Sequence, residues 1–67
     1  MTGEEFKRAL HRAGLTVTNC GPFLGMTSRH AFRIAAGDYP TPEAARKLLL
    51  LMWTVRITAD DWEDVVR

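Results

Sequence analysis

Apolar positions recur along this chain at intervals of three and four, and the recurrences stop at glycines. Phe6, Leu10 and Ala13 make the first stripe, with Gly14 directly behind it. Ahead of the stripe, Thr2-Gly3-Glu4-Glu5 has the form of a capping box, in which Thr2 caps the helix and Glu5 returns the bond. The spacing predicts a first helix running to about Ala13, with Gly14 as the left-handed residue after it. Glu4 and Arg8, one turn apart, predict an ion pair worth a few tenths of a kcal/mol.

Val17, Cys20, Phe23 and Leu24 continue the helical spacing, with Thr16 placed as an N-cap, but Gly21-Pro22 interrupts them. An interior proline removes a hydrogen bond and clashes with the preceding turn, at about 3 kcal/mol. Either this helix is distorted, or it begins late with Pro22 in its first turn; a short or kinked helix is expected. Gly25 supplies a tight turn, and Thr27 caps a helix predicted over residues 28–36. Its inward stripe is Ala31, Ile34 and Ala35, and its outward positions include Ser28, Arg29, Phe32 and Arg33.

Asp38-Tyr39-Pro40-Thr41 reads as a loop, because a residue before proline avoids helical geometry. Thr41-Pro42-Glu43 then predicts a fourth helix over 42–54, with Thr41 as N-cap and Pro42 in the first position. Ala45, Leu48, Leu49, Met52 and Trp53 are assigned to its core face, while Leu50 and Leu51 carry apolar surface around the helix. Residues 55–57 read as a short extended link. Thr58-Ala59-Asp60-Asp61 opens a last helix over 58–67, with Trp62, Val65 and Val66 on one face. The expected fold is all-α, a single domain over 1–67 built as a compact bundle of about five short helices.

Composition supports a folded domain: 67 residues, 46% hydrophobic and 25% charged. The formal net charge is only +1. That total hides an asymmetry, since Lys7, Arg8, Arg12, Arg29 and Arg33 precede residue 38 and Asp60, Asp61, Glu63 and Asp64 crowd the end. A small domain of this kind can present a cationic face to an anionic partner.

Chemistry of other kinds finds little support. The lone Cys20 excludes an internal disulfide and fits a reducing compartment, with no acid or base nearby in sequence to activate it. His11 and His30 do not combine with Cys20 in a zinc-site spacing, so no metal is expected. The terminal acids fit the dipole of a helix start better than acid/base chemistry. No Walker or Rossmann phosphate loop is present, and neither an enzyme nor a cofactor is expected. The longest apolar run, 48–53, is far short of the roughly 20 residues of a membrane span. With no signal-peptide pattern at its start, the chain is expected in the cytoplasm.

Several of these features coincide with one family. Gly14-Leu15-Thr16 before the second helix, the small Gly21, Leu24-Gly25-Met26-Thr27 at the turn, Ile34, Gly37, and Pro40-Thr41-Pro42 before a leucine-rich helix all match it. Over residues 3–51 the chain resembles the lambda-repressor-like (Cro/C1, XRE-type) helix-turn-helix domains of phage and bacterial regulators. The resemblance implies a motif at about 16–37, with 28–36 as a recognition helix in the major groove of an operator. It makes Arg29 and Arg33 the leading candidates for base or phosphate contacts. Ser28 and His30 would assist, Thr27 would offer phosphate a hydroxyl and an N–H, and Phe32 would meet a thymine methyl. It further implies a transcriptional regulator, most simply a repressor, acting as a homodimer through the C-terminal helices on an inverted repeat of double-stranded DNA.

Two positions depart from the family pattern. Val17 stands where these domains usually carry a phosphate-contacting glutamine, and Pro22 is foreign to a helix interior. They define an alternative: a helix-turn-helix module that keeps the bundle and serves as a protein-interaction inhibitor or adaptor without binding DNA.

Overall fold

A computed structural model describes residues 1–61, and over them the chain is helical, with no strand. Four helices follow in order: α1 (Gly3–Arg12), α2 (Gly21–Leu24), α3 (Ser28–Ala35) and α4 (Glu43–Val55). The first turn of a fifth helix opens at 59–61. The expected face of Trp62, Val65 and Val66 lies outside the described residues.

α1 starts as its sequence predicts. The Thr2 hydroxyl accepts from the Glu5 N–H at 3.1 Å, and the Glu5 carboxylate accepts from the Thr2 N–H at 3.0 Å. Those bonds hold the Glu5 carboxyl below its ordinary range. Glu4 pairs with Lys7 at 2.8 Å rather than with Arg8, and the ammonium beside it lowers its carboxyl too. The sign follows: the stability these two carboxylates add is present above the ordinary glutamate range and fades as pH falls through their lowered values.

The core draws on α1, α3, α4 and the segment that follows α1. Phe6, Leu10 and Ala13 meet Leu15, Cys20, Ala31, Ile34, Leu49 and Met52 in one cluster, and each of these side chains is buried. α1 is the axis of this arrangement, packing against both α3 and α4. Its start lies so close to the end of α3 that a Cβ on Gly3 would collide with the carbonyl oxygen of Ala35. At the other end of α1, the Ala59 N–H donates to the Ala13 carbonyl at 2.8 Å and draws the fifth helix onto the bundle.

Three expectations are corrected on α4 and its flanks. The helix begins one residue later than predicted, with Pro42 as the capping position (φ −57°, ψ 140°). An extended ψ at Pro42 leaves the Thr41 hydroxyl buried and without a hydrogen-bond partner among the described residues, so Thr41 does not cap. Trp53 is 39% exposed rather than core, with the guanidinium groups of Arg12 (4.7 Å) and Arg56 (4.2 Å) over its ring. Residues 55–57 are a helix terminus and not an extended link. Arg56 is left-handed at φ 61°, and the Ile57 N–H reaches back to the Met52 carbonyl at 3.0 Å.

Cys20 is fully buried, and its Sγ donates to the Val17 carbonyl at 3.6 Å. Burial pushes the thiol above its ordinary range, so little of the reactive thiolate forms near neutrality. The folded protein is therefore expected to react slowly with a disulfide reagent near pH 8 and fully once denaturant is added. Rapid labelling of the native protein would contradict this packing.

Candidate nucleic-acid interface

The segment from Thr16 to Gly37 turns on the break that Gly21-Pro22 introduces. Thr16 and Asn19 exchange bonds as a capping pair: Asn19 Oδ1 accepts from the Thr16 N–H at 2.7 Å, and Thr16 Oγ1 accepts from the Asn19 N–H at 3.2 Å. One turn follows, closed by the Cys20 N–H on the Thr16 carbonyl, before α2 begins afresh at Gly21 with Pro22 in its first turn. The short second helix is thus present, and its start is where proline is tolerated.

The carbonyl of Thr18 lies in the exposed turn ahead of α2. The Ser28 hydroxyl donates to this carbonyl at 3.3 Å. Ser28 is therefore engaged in joining α3 to the preceding turn, which limits its use at base edges. The turn itself closes tightly. Gly25 takes φ 73°, the Met26 N–H donates to the Gly21 carbonyl at 2.9 Å, and a Cβ on Gly21 would strike the Met26 carbonyl oxygen.

Thr27 then caps α3, its hydroxyl accepting from the His30 N–H at 3.1 Å. Ala31 and Ile34 sink into the core, with Ala35 partly buried beside them. The opposite side is open. Arg29 is exposed, with no side-chain partner among the described residues, and Phe32 is 53% exposed. His30 and Arg33 are half-buried because both meet Tyr39. The imidazole and phenol rings lie 5.5 Å apart at 24°, and the Arg33 guanidinium sits 5.8 Å from the phenol centroid. Thr27, Arg29, His30, Arg33 and Tyr39 together line a shallow groove of about 240 Å³.

The six residues singled out from the sequence thus gather along α3, and Tyr39 joins them from the following loop. Helical periodicity cannot reveal such a residue; the only signal was an aromatic side chain just behind the stop at Gly37. Val17, at the phosphate-contacting position of the resembled family, packs against the core instead. Among the described residues no cluster of His, Cys, Asp or Glu is placed to hold a metal ion, and no helix is long and apolar enough to cross a membrane.

Comparison with known proteins finds no match to a protein-family model, a curated protein or a solved structure.

Proposed function

We propose that this protein is a sequence-specific, double-stranded DNA-binding regulator of the lambda-repressor-like helix-turn-helix class, working in the cytoplasm with α3 in the major groove. One observation carries the reading: α3 is seated by Ala31 and Ile34 while presenting Arg29 and Phe32 outward from a capped N-terminus, with Arg33 beside them. A helix fixed on its inner side can hold arginines in the orientation that base edges require. Its N-terminal residues are those that a recognition helix brings to bases. On α4, Leu50 and Leu51 remain 55% exposed, which supports a homodimer through the C-terminal helices on an inverted repeat.

Selection from a random duplex pool, followed by band shifts on the enriched site, tests this. Arg29→Ala is expected to weaken specific binding by about 5- to 150-fold, the equivalent of about 1–3 kcal/mol, with an unchanged helical circular dichroism spectrum. Operator binding equal to wild type would remove Arg29 from the reading face.

The protein-interaction reading has its own support. Val17 offers no group to phosphate, and Leu50, Leu51 and Val55 leave an apolar strip open on α4. A folded protein that enriches no DNA site at low salt would favour it.

A further inference from the structure

The outward side of α3 is not uniform. Arg29 stands near its centre, and Phe32 and Ser28 lie on the flank toward the α2 turn. His30 and Arg33 lie on the other flank, toward the loop that carries Tyr39. The two arginines, one turn apart, therefore differ in kind. The Arg29 side chain has no partner among the described residues and is free to extend, whereas Arg33 is drawn sideways onto the face of Tyr39.

We infer that the Tyr39 flank is a seat for a phosphodiester of the DNA backbone, in which Arg33 and His30 hold the phosphate and Tyr39 positions them, leaving Arg29 and Phe32 to read bases. This rests on the DNA-binding reading proposed above. A guanidinium held over a ring by cation–π attraction is turned toward that ring and away from the helix normal along which a base reader extends. Arg33 also belongs to the second half of α3, beyond the N-terminal residues that approach base edges. The groove beside it suits an anion: it is lined by Thr27, Arg29, His30, Arg33 and Tyr39, with no carboxylate among them. Thr27 Oγ1 accepts from the His30 N–H, which leaves its own hydroxyl proton available to a phosphate oxygen. Tyr39 is a positioning residue here and acts through its ring.

Binding titrations across a salt series separate the two roles, using the selected duplex and a scrambled one. Arg33→Ala should weaken both duplexes by the same factor and lower the slope of log affinity against log salt by about 0.9, the value for one phosphate contact. Arg29→Ala should instead weaken the selected duplex by a larger factor than the scrambled one. Tyr39→Leu, which keeps bulk but removes the aromatic face, should shift affinity and slope in the direction of Arg33→Ala, and Tyr39→Phe should restore wild-type values. Circular dichroism checks that each variant is folded.

If Arg33→Ala affects only the selected duplex at an unchanged slope, Arg33 is a base reader and the seat is wrong. If Tyr39→Leu binds as wild type does, the positioning role is wrong. Failure of the wild-type protein to bind either duplex at low salt would overturn the DNA-binding reading, and this inference with it.

Discussion

Replacing Gly21 with alanine is expected to destabilise the protein by about 1–3 kcal/mol, the range for forcing a methyl group into a filled site. The obstacle is backbone rather than side chain, since the new Cβ would strike the Met26 carbonyl oxygen and come within 3.6 Å of the Ser28 nitrogen. The turn that carries this carbonyl is itself closed on Gly21, by the Met26 N–H on the Gly21 carbonyl at 2.9 Å. For a domain of this size each kcal/mol lowers Tm by about 4–8 °C. Gly25, four residues on, is required for a different reason. A Cβ there meets nothing within 4 Å, but φ is 73°. Asparagine tolerates the left-handed region, so Gly25→Asn should melt close to wild type while Gly21→Asn should not. Equal melting of Gly21→Ala and wild type would show that the turn has more room than this geometry allows.

Ile34→Ala is expected to have a larger effect still. Ile34 is 1% exposed at the centre of the cluster, and truncating such a side chain costs about 2–5 kcal/mol. A domain of this length holds a total stability of roughly 3–10 kcal/mol, so the variant should be partly or wholly unfolded at 37 °C. DNA binding and helical circular dichroism should be lost together, in contrast to Arg29→Ala, where only binding falls. Ile34→Val, at about 0.5–1.5 kcal/mol, should retain both. A cooperative melt for Ile34→Ala within a few degrees of wild type would mean that α3 is held elsewhere.

The parts of this fold that were legible in the sequence are those decided by neighbours along the chain. Thr2 and Glu5, Gly25, and Thr27 act on atoms within a few residues, and each does what its local pattern predicts. The stripes Phe6-Leu10 and Ala31-Ile34 were legible because burial on a helix follows its period. Trp53 misled because an aromatic at core spacing looks the same whether protein or a pair of guanidinium groups covers it. At the candidate site the outward set on α3 was legible, but its division into two flanks was not. That division depends on Tyr39, which reaches back from a loop, and on Ser28, whose hydroxyl is engaged across ten residues.

The bond from Ser28 to the Thr18 carbonyl has a bearing on how such a protein could change its target. It gives the hydroxyl at position 28 a second task, tying the start of α3 to the turn ahead of α2. Drift at position 28 would loosen this tie as well as change the outward face of α3. Variation that retunes the proposed recognition would fall first on positions 29 and 32.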